Sequence, residues 1–334
     1  MELQLKNIGM IKEANVKLDG LTVIAGENDT GKSTLGKVFY VIIKGMNLFS
    51  TEFKDKSAQN LNTSFLAVYL LLFKQTKLEN NVSILLKDKE DELVEFKGKN
   101  YLDNEEHQHG VSLKKNSFAK DILFIETPLV WNFTDFFRDI AQVESQMNIK
   151  LDYPYLMKDL NFKLHIKSAS NGFDIKDKVT KLMGGEFKKD EMGRYYFDKQ
   201  GKRIELINTA TGIKYFGIFQ ILSQNNYLNE KTVLILDEPE VHLHPKWQLK
   251  LAEIIVELVK NDIKILVNSH SPYMIEALEL YSFKEKINSN FYLAEKKDDY
   301  AIISDVTDNL EPIYSKLAQP IQELEEASLE NLKW

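Results

Sequence analysis

Gly26-Glu27-Asn28-Asp29-Thr30-Gly31-Lys32-Ser33 is the stretch on which the reading of the fold turns. It fits the pattern G-x-x-x-x-G-K-[ST], and its flanks supply the context that this pattern needs. Leu21 to Ala25 (LTVIA) is a short apolar run that reads as a buried strand, and a helical pattern follows from Lys32 to about Met46. Glycines let the chain wrap closely, so that successive N–H groups converge on phosphate oxygens. The helix that starts near Lys32 turns the positive end of its dipole on the same anion. Lys32 can reach the β- and γ-phosphates of a nucleoside triphosphate, and Ser33 can ligate Mg²⁺.

Working outward, Val233-Leu234-Ile235-Leu236-Asp237-Glu238 puts two carboxylates at the end of an apolar strand. A strand end on the edge where the phosphate loop emerges is where α/β sheets bind ligands. Asp237 suits Mg²⁺, directly or through water, and Glu238 suits orientation or deprotonation of an attacking water. Two adjacent acids also describe a solvated turn; the phosphate loop upstream favours the first reading. Ile265 to His270 (ILVNSH) ends the next strand with polar residues, which would bring His270 to the same cleft, where a neutral imidazole can meet the γ-phosphate or the water. His242 and His244 form an H-x-H pair, as do His107 and His109. Neither has a third ligand at sensible spacing, so the first pair reads as a loop shaped to meet a partner subunit and the second as a solvated loop.

The remaining pattern is that of an α/β protein. Residues 2 to 18 alternate around Asn7-Ile8-Gly9 as a β-hairpin, and Asn81 to Phe96 reads as a second one. Thr51 to Lys77 is helical in pattern, and its Phe65–Phe73 run (FLAVYLLLF) reads as a buried helix. Ile122 to Ile125 is a strand, 129 to 147 a helix, and 148 to 205 is mixed and charged, with a hairpin at Tyr195 to Ile207. Pro245 opens a helix, Ser271-Pro272 caps another, Asn290 to Asp305 forms a last strand pair, and an acidic helix runs from Ile313. The strand–helix–strand order from Val233 to Val267 implies a parallel pair with a right-handed crossover.

Composition sets bounds. The chain has 334 residues, enough for one large domain or two modest ones. Lys plus Arg is 43 against 50 for Asp plus Glu, a formal charge of −7. That balance argues against coating nucleic acid through sheer positive charge and leaves a local basic patch, and nucleic acid as a partner, open. With 43% hydrophobic and 11% aromatic residues the chain can bury a sizeable core. Cysteine is absent, which excludes disulfides, thiolate metal sites and cysteine nucleophiles and fits a reducing compartment. The N-terminus alternates and carries charges, unlike a signal peptide, and the longest apolar run falls far short of the roughly 20 residues of a membrane-spanning helix. The expectation is a soluble cytoplasmic protein without a membrane partner.

In this order the three motifs resemble the ATP-binding-cassette (ABC) ATPase heads of the SMC, RecF and OLD (overcoming lysogenization defect) group. The resemblance runs from residue 2 to about 320 and rests on G-x-N-x-[ST]-G-K-S-T at Gly26 to Thr34, LILDEPEVHLHP at Leu234 to Pro245, and NSHSP at Asn268 to Pro272. It implies a P-loop NTPase: a mixed sheet with N-terminal antiparallel hairpins, one ABC-type domain over 1–334, and an inserted helical and β arm at about 130–205 that leads into the signature loop. It implies ATP held by Gly26, Asn28, Asp29, Thr30, Gly31, Lys32, Ser33 and Thr34, with Ser33 and Asp237 on Mg²⁺ and Glu238 and His270 catalytic. The signature loop falls at Thr209-Ala210-Thr211-Gly212-Ile213-Lys214, closer to the SSG-x-K form of OLD-like members than to the transporters' L-S-G-G-Q.

In such heads two subunits sandwich ATP, so the family implies a homodimer or higher oligomer in which Thr211 and Gly212 meet the γ-phosphate bound by the other copy, and Glu240 to His244 serve as the loop that touches it. Three departures matter. No Q-loop glutamine appears, and Glu126 stands where that loop should fall. The arm is too short for an SMC rod. No TOPRIM nuclease domain is expected, so a nuclease or toxin activity is expected in a separate effector, as in stand-alone OLD-like antiphage ATPases of the Septu kind. The alternative is a RecF- or SMC-like ATPase that itself grips DNA in repair or maintenance.

Overall fold

The computed structural model describes residues 1–52, 57–74, 82–88, 91–98, 112–113, 121–148 and 153–331. His107 and His109 lie outside these. The N-terminal hairpin is β1 (Glu2–Ile8) and β2 (Ile11–Lys17), closed by Asn7 and Gly9 at positive φ. β3 (Leu21–Ala25) runs into the phosphate loop and α1 (Lys32–Glu52). Within the helical pattern expected beyond Thr51, the Ser57 side chain caps α2 (Ala58–Phe73). Only part of its apolar run is covered: Phe65 and Val68 are buried, while Leu70 and Leu71 are exposed.

β4 (Val82–Asp88) and β5 (Asp91–Gly98) form the second hairpin, followed by β6 (Ser112–Leu113) and β7 (Asp121–Ile125). The helix expected from 129 begins as a 3₁₀ turn, Pro128–Phe133, before α3 (Thr134–Met147). The mixed stretch then folds as α4 (Tyr155–His165), α5 (Lys176–Met183), β8 (Glu186–Lys189), β9 (Tyr195–Lys199) and β10 (Lys202–Glu205). α6 (Thr211–Gln224), β11 (Thr232–Asp237), α7 (Pro245–Lys260), β12 (Lys264–Ser269), α8 (Pro272–Glu285), β13 (Ser289–Lys297), β14 (Tyr300–Asp305) and α9 (Glu311–Asn331) complete the order.

Among the described residues one 11-stranded sheet runs in the order β6-β5-β4-β1-β2-β14-β13-β3-β12-β11-β7, beside a separate β10-β9-β8 sheet. The part from β13 to β7 is parallel, and the part from β6 to β2 is antiparallel. Period-two alternation sends the strand side chains to two cores. Leu21, Val23 and Ala25 of β3 face the core that holds α6, α7 and α8, while Ile24 faces α1 and α2. The inserted segment packs into the first of these through Trp131, Phe187, Tyr195 and Phe197.

Beside β7 the protein buries a charge cluster. Lys163 of α4 meets Asp159 at 3.0 Å and Asp121 at 3.3 Å, and also donates to the Ile122 carbonyl. Lys44 of α1 meets Asp159 at 2.7 Å.

Register places the site. Ala25 pairs with Ser269, Asn268 with both Ile24 and Asp237, and Leu236 with Ile125. Four parallel strands therefore end along one edge, with the phosphate loop, Asp237-Glu238, His270 and Glu126 just beyond their ends. Among the described residues no helix is long and apolar enough to cross a membrane.

Candidate functional site

The phosphate loop needs its glycines for different neighbours. A Cβ at Gly26 would stand 2.3 Å from the Ala294 carbonyl oxygen of β13, and one at Gly31, with φ of 83°, 2.6 Å from Ile11 Cγ1. Between them Asp29 takes φ of 60° and the Thr30 hydroxyl donates to the Glu27 carbonyl at 2.8 Å. Asn28 is exposed on the loop, and Thr34 lies half-buried in the first turn of α1. The Lys32 ammonium donates to the Gly26 and Glu27 carbonyls at 2.8 and 2.5 Å. Burial lowers its pKa, and Glu238, Asp237, Glu240 and Glu27 together oppose that drop. The loop's own acids are paired: Lys296 of β13 reaches Asp29 at 2.5 Å, and Lys316 of α9 reaches Glu27 at 3.5 Å.

Across the edge, Ser33 donates to Asp237 Oδ1 at 3.0 Å, and the Asn268 amide donates to the same oxygen at 2.7 Å and to the Lys32 carbonyl at 3.1 Å. Burial pushes the Asp237 carboxyl up, the Asn268 and Ser33 hydrogen bonds pull it down, and the Glu238 charge pushes it up again. Glu238 leaves β11 at φ of 48°, its N–H donating to the Asn268 carbonyl at 2.9 Å. His270 Nδ1 lies 3.6 Å from Glu238 Oε1 and 3.5 Å from Glu240 Oε1. Glu126, beyond β7, sits 3.7 Å from Lys37; burial and the Asp237 charge raise its pKa against the pull of Lys37.

The structure thus brings Lys32, Ser33, Asp237, Glu238 and His270 to one edge. Thr211 and Gly212 open α6 elsewhere. A Cβ on Gly212 would meet Leu243 Cδ2 at 3.4 Å, the His242 carbonyl oxygen at 3.5 Å and Trp247 at 3.5 Å. His244 caps α7, its Nδ1 accepting from the Lys246 N–H at 3.2 Å. Two participants escaped the sequence reading. Asn268 was legible only as a polar strand end that opens the NSHSP motif, and Glu240 only as the start of the loop expected to touch a second copy. The acidic residues of the phosphate loop gave no hint of their distant lysines.

Chemically this edge joins an anion-binding loop, a buried cation, hard oxygen donors and an acid–imidazole pair. It suits a nucleotide's phosphates. Ser33 Oγ and Asp237 Oδ1, hard oxygens 3.0 Å apart, are of the donor type that fits a divalent cation such as Mg²⁺.

An uncharacterised protein of Methanocaldococcus jannaschii is 23% identical over 258 residues, 76% of this chain and 30% of that protein. The probable ATPase of retron Ec83 from Escherichia coli is 30% identical over 107 residues, 30% of this chain and 20% of that protein. The chain spans less than a third of the length of either relative. An SMC head bound to the C-winged helix domain of ScpA shares the fold, with a TM-score of 0.52 at 13% identity over 94% of this chain and 98% of that one. The fold is that of the SMC head, a P-loop NTPase fold. Residues 21–276 match the family described as AAA domain, putative AbiEii toxin, type IV toxin–antitoxin system, and to that family the chain belongs.

Proposed function

We propose that the chain is a Mg²⁺-dependent ATPase switch that closes as an ATP-sandwich dimer and controls a separate effector, a nuclease or toxin, in defence against phage. The observation that carries the catalytic part is the convergence of Ser33, Asp237, Glu238 and His270 on the sheet edge beside Lys32. The retron relative and the toxin–antitoxin wording of the family support the defence role, and the OLD-like form of the signature loop supports kinship with stand-alone antiphage ATPases.

In this reading Lys32, the loop amides and the α1 N-terminus neutralise the β- and γ-phosphates. Gly26, Asn28, Asp29, Thr30, Gly31 and Thr34 shape the loop around them. Ser33 and Asp237 would hold Mg²⁺, which supplies charge neutralisation between the phosphates when bound. Glu238 orients the water and takes its proton as the oxygen attacks the γ-phosphorus and the bond to the bridging oxygen breaks, giving ADP and inorganic phosphate. His270 contacts the γ-phosphate or that water.

Thr211 and Gly212 act on the nucleotide of a second copy, since Gly212 packs against 242–247 and not against its own phosphate loop. Hydrolysis then rises more than linearly with protein concentration wherever the dimer is weak. The test mixes two inactive variants. Gly212→Asp sets a carboxylate against the γ-phosphate and Lys32→Ala cannot hold ATP, yet a mixed dimer retains one intact composite site and recovers part of the activity. No recovery from a linked heterodimer with one intact site refutes the shared site.

A further inference from the structure

Glu240 enters the sequence reading only as the first residue of the loop Glu240 to His244, expected to touch a second copy. Its side chain is 4% exposed, and its Oε1 accepts three hydrogen bonds: from Ser269 Oγ at 2.7 Å, the His270 N–H at 2.8 Å and the Ser271 N–H at 3.1 Å. These donors are the last residue of β12, the residue after it and the cap of α8. A carboxylate buried so deeply is costly unless bonded. One oxygen is saturated; the other, Oε2, has no partner. The saturated oxygen also lies 3.5 Å from His270 Nδ1, with Glu238 Oε1 at 3.6 Å on the same nitrogen. The imidazole is thus flanked by two carboxylates at Nδ1, which leaves Nε2 as the nitrogen for the nucleotide side.

Glu240 is equally tied to the turn that α6 touches. Its carbonyl accepts from the Leu243 N–H at 2.8 Å. Gln248 donates to the Leu243 carbonyl at 3.0 Å and accepts from the Ser271 hydroxyl at 2.6 Å. Leu243 is the side chain nearest to Gly212. One turn along α6 the Tyr215 hydroxyl is buried without a partner, and burial followed by the Glu240 charge pushes its ionisation well up. A donor on α6 and an acceptor on Glu240 are therefore both unmet in this conformation.

We propose that Glu240 is a positioning residue for His270 and the link through which the start of α6 acts on the His270 of its own chain. The proposal rests on the reading of His270 as a group that faces the nucleotide or water. A shift of α6 displaces Leu243 and the turn. The Glu240 carboxylate carries that displacement to the backbone of 269–271, because its three hydrogen bonds end there. Engagement of α6 with a second copy's nucleotide would in this way set the imidazole that serves the first copy's own nucleotide.

Glu240→Gln tests it on the full chain, since the amide keeps an acceptor oxygen for the backbone donors and removes the charge beside Nδ1. ATP affinity by calorimetry is expected to stay within about twofold, while turnover at saturating ATP falls about tenfold or more, as when an orienting carboxylate is lost. The ¹⁵N-labelled imidazole signals of His270 are expected to shift, with those of His165 unmoved. Leu243→Ala, which leaves both carboxylates in place, is expected to shift the same His270 signals, and it carries the test if Glu240→Gln fails to fold. Unchanged His270 signals in the variant that folds overturn the link, as does parental turnover in Glu240→Gln. His270→Ala separates the two levels. If it turns over at the parental rate, the reading of His270 itself is wrong; if it is impaired while Glu240→Gln is not, only the link fails.

Discussion

The molecule buries charge in two places and treats it in opposite ways. Beside β7, Asp159 lies between Lys44 and Lys163, and Asp121 takes the other side of Lys163. Burial alone would raise the Asp159 carboxyl, but its two lysines outweigh that and hold it at about 2, and Asp159 and Asp121 raise the Lys163 pKa against its own burial. At the sheet edge the balance is left short. Asp237 and Glu126 are pushed up, Lys32 is pushed down, and Glu240 Oε2, Asn268 Oδ1 and His270 Nδ1 are buried without hydrogen bonds. The first region spends its charges on itself and is structural. The second keeps unmet donors and acceptors in reserve, the condition expected of groups arranged for a ligand.

Substitutions can break this contrast. Glu238→Gln is expected to slow turnover by about 10²–10⁴-fold with ATP affinity retained, because the amide keeps the volume and loses the base. Its melting temperature is expected to match or exceed the parent's, since the Glu238 charge burdens Asp237. Turnover at the parental rate removes Glu238 from the mechanism. Lys163→Met has the opposite profile. It leaves the buried Asp159 with Lys44 alone and the half-exposed Asp121 without a cation, and is expected to cost about 3 kcal/mol in urea unfolding, the low end for a broken buried pair, while the folded fraction binds ATP as the parent does. A cost below about 1 kcal/mol would make the cluster no different from a surface pair.

The pH dependence sharpens the contrast further. The folded pKa of Asp159 lies below its ordinary 3.8, so its stabilisation is present above about pH 4 and is lost as pH falls towards 2. The shift corresponds to about 2 kcal/mol at neutral pH. The stability gap between the parent and Asp159→Asn, measured by urea titration, is expected to narrow over that window; a constant gap rules out the pairing as its source. Lys296→Ala is expected to have the smallest effect. It removes an exposed pair with Asp29 and is expected to change stability by less than about 1 kcal/mol. ATP binding is expected to weaken modestly at low salt and to match the parent's at high salt, where screening is complete. Weakening that persists at high salt would show a contact beyond the field.

The same contrast marks what could be read beforehand. Residues 26–33, the Asp237-Glu238 strand end and the hairpins were legible because each is written in neighbouring residues: a loop between strand and helix, an apolar run that ends in acids, alternation around Asn7-Ile8-Gly9. The part played by Asn268 depends on a parallel register that sets it opposite Asp237, 31 residues upstream, and the part played by Glu240 on strand β12 ending beside it. The pairs Lys296–Asp29 and Lys316–Glu27 span most of the chain. Lys163 and Asp159 sat in a stretch that reads as mixed and charged. Sequence pattern cannot tell a buried lysine from a solvated one when one partner lies a helical turn away and the other on β7.

Asn268 and Ser269 point to opposite faces of β12, one amide to Asp237 and one hydroxyl to Glu240. This alternation limits how the strand can change over evolutionary time. Inserting or deleting a single residue between Ile265 and Asn268 would turn both side chains to the opposite face: a deletion brings the Ser269 hydroxyl to Asp237, an insertion brings the Asn268 amide to Glu240, and the apolar neighbours that shift swap sides as well. A one-residue indel here should be purged, whereas the turn before Lys264 can vary in length. Among descendants of this chain the spacing from Ile265 to His270 should hold even where the side chains between them drift.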